Sequence, residues 1–380
     1  MKILFITTRN PYAVRFSGDV MRASRIIKLL RNKYNTDVLF LGKKNSLKEK
    51  KNTDIEFQSP NFFFKIYHCL ISFFKFEPIQ FGLFHSPKLK HYIKKNAHKY
   101  DILFFHHIRS VQYIPKNYKG KTILEMGDLY SRNYLQTCKY LSIFNPLFYC
   151  YLIESLLIKK IEDRSFNLFK NIILFSKKEI ELVNKSFNKK IIYIPESVNK
   201  IKKIYKFSKD NYKILFIGNL KYLPNKLACI DFAEKTLPKI SLKFPEIEFH
   251  IIGDISKFNK YRLSFNSKVK ILGQKKDLDS YIKHAICGLA NLEIASGVQG
   301  KVLTYMSLGF PSICSKKVSV NFDYATLNYK TENELISQIS DLKKIKYKSE
   351  LYSKKSQNFI KNFLWKKISL EYLSLVNNPL

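Results

Sequence analysis

The sequence predicts an α/β protein of two domains, each built on a parallel sheet wrapped by helices. Three observations carry this expectation. Its 380 residues exceed what one core ordinarily organises. Short β-branched and aromatic runs alternate with helical patterns along the whole chain, the signature of strand–helix–strand units. The opening run Lys2-Ile3-Leu4-Phe5-Ile6-Thr7-Thr8 returns almost unchanged at Lys213-Ile214-Leu215-Phe216-Ile217-Gly218-Asn219, which suggests a duplicated architecture.

In the first half the pattern predicts strands over 2–8, 37–41, 102–106, 122–125, 172–176 and 191–194. Between the first two, Val20, Ala23, Ile27 and Leu30 recur at helical spacing behind Ser17 and Asp19. The polar, lysine-rich stretch 200–211 reads as an interdomain linker. Strands follow at 213–218, 248–252, 269–272, 286–290 and 312–314, with a helix beginning at Leu278. A final helical pattern over about 350–376 carries Trp365, the single tryptophan. The expected domains are therefore 1–199 and 212–360, with a terminal helix in 361–380 packing back on the first.

Composition bounds the class. Hydrophobic residues make up 46%, enough for a core in each half and incompatible with collagen-like or disordered chains. Lys and Arg number 67 against 30 acids, a formal charge of +37. Abundant Lys, Asn, Ile, Phe and Tyr fit AT-biased coding, but such bias does not deplete acids to this degree. The excess predicts an acidic partner, an anionic membrane surface first. The six cysteines (Cys69, Cys138, Cys150, Cys229, Cys287, Cys314) include no short-spaced pair, which argues against zinc or a disulfide framework and fits a reducing cytoplasm. The N-terminal apolar run is too short for a signal peptide. The longest apolar stretch, 141–158, is interrupted by Asn145, Pro146 and Glu154, so no spanning helix is expected.

Residues 62–76 are crowded with aromatics. Phe62, Phe63, Phe64, Phe73 and Phe74, with Lys65, Lys94 and Lys95 among them or following, suit a helix dipping into anionic lipid. The alternative is a buried helix beside a solvated one. This reading places the protein in the cytoplasm, peripherally on the inner face of the plasma membrane. Interleaved Tyr and Lys could also grip single-stranded nucleic acid. No helix-turn-helix, zinc-finger or RNP-type pattern accompanies them, so nucleic acid is not the expected partner.

The chemistry concentrates between Asp277 and Cys314. Gly297 lies at a strand-to-helix turn, where free N–H groups and the helix dipole attract anions. Lys301 follows four residues on and Thr304 three after that, on one face. Close backbone approach, N–H donors and a lysine together make a pyrophosphate site, although a tight turn plus a surface lysine gives the same letters. Asp277-Leu278-Asp279 could chelate a metal, but carboxylates opening a helix are better read as caps. No other cluster has ligand spacing, so no metal is expected. His106-His107 ends a strand and could reach a cleft, though satisfied core histidines are the commoner outcome.

The segment Gly273 … Asp277-Leu278 … Tyr281 … Ala285, continuing Ser296-Gly297-Val298-Gln299-Gly300-Lys301-Val302-Leu303 … Met306 … Gly309 … Pro311, resembles the nucleotide-sugar motif of family 4 glycosyltransferases. Bacterial sugar transferases of the PEP-CTERM and exopolysaccharide type are the most similar. Other segments agree in order: Arg9-Asn10-Pro11-Tyr12 with Ser17-Gly18-Asp19 and Arg22, then Glu125-Met126-Gly127-Asp128 with Ser131 and Tyr134, Glu154 and Glu162 with Ser176, and Gly218-Asn219 with Pro224-Asn225 and Ala228. The resemblance implies a GT-B fold, two facing Rossmann-like domains, and retaining, metal-independent transfer from a nucleoside diphosphate sugar to a lipid-linked or surface-glycan acceptor. It implies no cofactor beyond that co-substrate. Carried onto this sequence, it assigns catalysis to Asp128 and Lys301, and donor binding to Gly18, Gly218, Asn219, Glu293, Ser296, Gly297, Lys301 and Thr304. The family has glutamate where Thr304 stands, and a second glutamate where Ser296 stands. Threonine cannot make the charged ribose contact, which weakens donor binding by roughly 10- to 100-fold. A non-catalytic binding subunit of a glycan-assembly complex is therefore the main alternative, and a basic nucleic-acid binder a lesser one.

Overall fold

A computed structural model describes residues 1–13, 18–42, 53–202, 204–275, 277–295 and 297–378. The chain divides into two units, Met1–Pro195 with Ser369–Leu380, and Glu196–Ile368.

The first unit is built on seven strands: β1 (Lys2–Thr7), β2 (Asn35–Gly42), β3 (Asp54–Gln58), β4 (Ile102–His106), β5 (Lys121–Gly127), β6 (Asn171–Leu174) and β7 (Ile191–Tyr193). They pair in parallel in the order β3-β2-β1-β4-β5-β6-β7. A parallel sheet is covered on both faces, so its central strands must be apolar on both. Ile3 to Ile6 in β1 and Leu103 to Phe105 in β4 are accordingly fully buried. The helix Gly18–Arg31 returns the chain from β1 to β2 and buries Val20, Ala23, Ile26, Ile27 and Leu30 on one stripe. At its end Arg31 donates to Asp54 at 2.7 Å, tying down β3. Sequence periodicity misses β3, because an edge strand half open to solvent shows no apolar run.

The helix Phe62–Phe74 is inside out. Lys65, His68, Cys69 and Ser72 line its inward stripe, while Phe62, Phe63, Phe64, Ile66, Tyr67, Leu70, Phe73 and Phe74 are exposed. Its backbone lies directly on Gly82, where a Cβ would come within 2.3 Å of the Cys69 nitrogen. The Glu154 carboxylate, on the helix Pro146–Leu168, accepts from the Ile79 and Gln80 amides at 2.8 and 3.2 Å and fastens this layer to the unit.

The second unit repeats the design with six strands: β8 (Lys213–Ile217), β9 (Glu248–Ile252), β10 (Val269–Gly273), β11 (Ala285–Ala290), β12 (Ser312–Ser315) and β13 (Leu327–Tyr329). All pairs are parallel, in the order β10-β9-β8-β11-β12-β13. Ile214, Phe216, Phe232, Phe249 and Ile251 fill the core on one face. The lysine-rich stretch at 200–211 packs on this unit. Tyr205 is buried, and the Lys202 and Ile204 amides donate to the carbonyls of Ser307 and Leu308. Buried Lys343 closes the same stretch by donating to the Lys209 and Asn211 carbonyls.

Two local expectations are corrected. Residues 278–284 form turns, not a helix, and Asp279 is not a cap: Lys202 donates to both its carboxylate oxygens, at 2.7 and 2.6 Å, and Asp277 lies 3.7 Å from the same ammonium. The C-terminal helical pattern is broken into Lys346–Ile360 and Trp365–Asn377, because Leu364 forms a strand-like bridge with Val198. The second half of the last helix belongs to the first unit, where Tyr372, Leu375 and Val376 are buried. There the Lys121 ammonium donates to the carbonyls of Leu375 and Asn378 and so caps the helix C-terminus.

All six cysteines are free thiols. Among the described residues, no helix is long and apolar enough to cross a membrane.

Candidate functional site

In the second unit the predicted donor residues gather where β8 and β11 end. Gly297 sits at φ +61°, a left-handed conformation that favours glycine, and its carbonyl accepts from the Asn321 side chain at 2.8 Å. The helix Gly300–Ser307 starts three residues later, so its positive end is presented beside that turn. Tyr305 fixes the helix to the sheet. Its hydroxyl accepts from the Ile217 amide at 2.8 Å and donates to the Leu289 carbonyl at 3.1 Å. The ring leaves no room for a side chain at Gly288, where a Cβ would meet it at 2.2 Å.

Lys301 does not reach straight into solvent. Its ammonium lies 3.9 Å from the Phe216 ring centroid and donates to Asn225 Oδ1 at 2.6 Å. Asn225 in turn donates to the Asn219 carbonyl at 2.9 Å and leans over Gly218, where a Cβ would be 2.9 Å from its nitrogen. Gly218, Asn219, Asn225 and Lys301 are thus one connected group. Burial pushes the Lys301 ammonium down to about 7. Thr304, one turn on, donates to the Gly300 carbonyl at 3.0 Å. Glu293 is exposed and paired with Lys317 at 3.2 Å. Ser296 lies outside the described residues, as does Ser17.

In the first unit a cavity opens where β1 and β4 end, the edge at which parallel sheets receive ligands. Thr7, Thr8, Arg9, Asp19, His106 and Arg109 are among the residues that line it. His106 is buried with both ring nitrogens facing acceptors, Nδ1 the Glu125 carboxylate and Nε2 the Asp19 carbonyl at 3.1 Å. Glu125 also receives the Tyr372 hydroxyl at 2.7 Å and faces Arg22 at 3.6 Å. Burial alone would raise its carboxyl, but the charges of His106 and Arg22 and the hydrogen bonds hold it below the ordinary range. His107 is kept neutral by burial and by the surrounding arginines. Its backbone is left-handed at φ +72°, a strained geometry for a side-chain-bearing residue.

Asp128, half-buried at the end of β5, has Glu179 as a neighbour. Burial and the Asp128 charge push the Glu179 carboxyl up to about 8, while its Oε2 accepts from the Leu129 amide at 3.1 Å. Gly18 opens its helix, and no described atom lies within 4 Å of a Cβ placed there. Lys94 and Lys95 are exposed in the last turn of the helix Pro87–Asn96, and Lys65 is half-buried. Sequence reasoning did not single out Arg109, Glu179 or Tyr372, whose partners are distant in the chain. Among the described residues, no group of three or more His, Cys, Asp or Glu side chains is placed to hold a metal ion.

Comparison with known proteins agrees with this picture. Residues 211–342 match the family model described as glycosyl transferases group 1. No curated protein matches the chain in sequence. Among solved structures, sucrose-phosphate synthase from Thermosynechococcus elongatus aligns with a TM-score of 0.71 at 13% identity, over 99% of this chain and 98% of that one. HepE from Anabaena, solved with UDP and glucose, gives 0.68 at 11% over the whole of both chains. A UDP-forming α,α-trehalose-phosphate synthase from Burkholderia xenovorans, solved with glucose 6-phosphate, gives 0.68 at 7%, again over the whole of both. The architecture is the GT-B fold, two Rossmann-like units with parallel sheets. The second unit of this GT-B fold carries the sequence pattern described as glycosyl transferases group 1.

Proposed function

We propose that the protein transfers a sugar from a nucleoside diphosphate sugar to a lipid-linked or surface-glycan acceptor, by a retaining, metal-independent route of the family 4 type. The observation that carries this is the enclosed Lys301 ammonium at the start of the helix Gly300–Ser307, beside the left-handed Gly297. As the bond from the sugar's anomeric carbon to the diphosphate breaks, the electron pair leaves with the phosphate. Lys301, the N–H groups after Gly297 and the helix dipole are the donors that stabilise it. Gly218 and Asn219 position Lys301 through Asn225. Thr304, Glu293 and Ser296 serve the ribose. The Thr304 hydroxyl, its proton committed to the Gly300 carbonyl, still accepts from a ribose hydroxyl. Asp128 orients an acceptor or sugar hydroxyl. UDP is the nucleotide to test first, because HepE was solved with it and the trehalose-phosphate synthase forms it.

Thermal unfolding with UDP, GDP, ADP and CMP tests the reading. A nucleotide at about 100 times its dissociation constant adds ~2.7 kcal/mol. A shift with one nucleotide that disappears in Lys301→Met supports the site, and no shift with any of the four sinks it. The change at Thr304 favours a second reading, a binding subunit without turnover. A large gain in donor turnover on Thr304→Glu supports a weakened enzyme, and binding without any gain supports the subunit.

The acceptor meets the enzyme at the cytoplasmic, anionic face of a membrane. The inside-out helix supports this: Phe63 is 79% exposed and Phe74 75%. The helix Pro87–Asn96 adds exposed Lys88, Lys90, Lys94 and Lys95 without an acid. Flotation with phosphatidylglycerol vesicles should be lost on Phe63→Ser with Phe74→Ser and weakened by salt. Equal flotation of the double variant would refute the assignment.

A further inference from the structure

The cavity of the first unit is lined by a cation, Arg109, that no carboxylate touches among the described residues. The Arg109 guanidinium is half-buried there, and burial together with the neighbouring Arg9 disfavours its charged form. Its Nε donates to Gln80 Oε1 at 2.8 Å and its plane faces the Phe84 ring, 4.9 Å from the centroid. Its two terminal nitrogens have no hydrogen-bond partner among the described residues. The carboxylates nearby are otherwise engaged: Asp19 pairs with Arg9 at 2.7 Å, Glu125 is held by His106, Arg22 and Tyr372, and Glu154, whose charged form Arg109 favours from a distance, accepts from the Ile79 and Gln80 amides.

The fold holds this arginine in place. Glu154 accepts from the Gln80 amide and side chain at 3.2 and 3.0 Å, and Tyr134 accepts from the same side chain at 3.0 Å, so the oxygen that meets Arg109 is fixed. Phe84 lies on the guanidinium and also within 5.9 Å of Arg9. A half-buried cation with no carboxylate in contact is costlier than the fold requires, since a neutral donor would serve Gln80 equally well. A planar fork with its outer nitrogens free matches two oxygens of a phosphate or carboxylate. The location, at the C-terminal ends of β1 and β4, is where a parallel sheet receives ligands.

We propose that this cavity binds an anionic group, a phosphate ester or a carboxylate, through Arg109 with Arg9 assisting, and that the group belongs to the acceptor. The second clause rests on the glycosyltransferase reading, whereas the anion site stands on the geometry alone. The acceptor is then a charged saccharide or a sugar phosphate.

The test measures binding of glucose 6-phosphate, glucuronate and neutral glucose to the whole protein, by thermal unfolding and calorimetry at constant ionic strength. Wild type, Arg109→Gln, Arg9→Gln and Lys301→Met are compared, each also with UDP. The expected result is binding of one or both anions, with glucose inert. Arg109→Gln should weaken that binding at least tenfold while keeping its UDP shift, which certifies the fold. Lys301→Met should keep anion binding and lose the UDP shift. The relative response to the two anions decides between phosphate and carboxylate. Should Arg109→Gln fail to fold, Arg109→Lys keeps the charge without the fork and should still lose most of the affinity. Binding that survives in Arg109→Gln or Arg109→Lys, or a wild type that binds neither anion, overturns the proposal. Loss of the UDP response alone would instead overturn the donor reading and leave the anion site standing.

Discussion

Replacing Lys301 with methionine should make the protein more stable while abolishing its response to UDP. The stem packs in the same space, but the ammonium is gone. A lysine moved from its ordinary 10.5 to about 7 carries about 4 kcal/mol of unfavourable burial at neutral pH, at ~1.4 kcal/mol per unit. Against that relief, Asn225 Oδ1 loses its donor, about 1–2 kcal/mol, and the Phe216 contact about 1 kcal/mol more. The net gain of about 1–2 kcal/mol raises the melting temperature by ~2–8 °C in a unit of this size. The pH dependence has a definite sign. Between about 7 and 10.5 the unfolded chain holds this proton more tightly than the folded one, so wild-type stability rises with pH across that window. The variant lacks that slope. UDP affinity should fall as pH climbs past 7 in the wild type, because the phosphates call for the charged lysine. Differential scanning calorimetry with and without UDP at pH 6.5 and 9 reads all of this. A variant that melts below the wild type at neutral pH, or that keeps its UDP shift, would refute the argument that Lys301 is a buried cation awaiting an anion.

Glu125→Gln should destabilise the first unit by about 3–5 kcal/mol, because His106 and Arg22 lose their shared counter-charge. The wild type should lose this contribution as pH falls through the lowered Glu125 value, so acid unfolding curves of the two proteins converge. Glu179→Gln acts in the opposite sense: the folded carboxyl holds its proton up to about 8, so the wild type weakens as pH rises from 4.5 to 8. The variant should be more stable by about 4 kcal/mol at pH 8 and indistinguishable near pH 4, as urea titrations at the two pH values will show. Gly288→Ala drives a Cβ to 2.2 Å from the Tyr305 ring and should cost about 1–3 kcal/mol while weakening UDP binding, measurable by denaturation and calorimetry on the same sample.

What the sequence reveals depends on how far apart the determining residues lie. Strands such as β1, β4, β8 and β11 are legible because burial on both faces makes them continuous apolar runs. Edge strands β3 and β13 alternate weakly and escape notice. Leu278, Tyr281 and Ile282 imitate a helical stripe, but they pack with Tyr205 and Phe310, and Lys202 takes the acids that looked like caps. Gly297 and Lys301 are visible as a local spacing. The inward turn of Lys301 is not, because it is set by Asn225, 76 residues earlier. Arg109 and Tyr372 belong to no motif, and their partners stand 29 and 247 residues away. The aromatic run at 62–76 announces itself, yet only the inward stripe of Lys65, His68, Cys69 and Ser72 shows which way the rings point.

The first unit is assembled from two pieces of chain with the whole of the second unit between them. Its sheet is complete once Tyr193 has emerged from the ribosome, but Tyr372 and the carbonyls that receive Lys121 have yet to be made. At ~5–20 residues per second, that interval is on the order of ten seconds or more. Throughout it, a lysine and a glutamate destined for the interior lack part of their ligation. The nascent first unit therefore gains its last buried partners only when synthesis of the second is over, not before it.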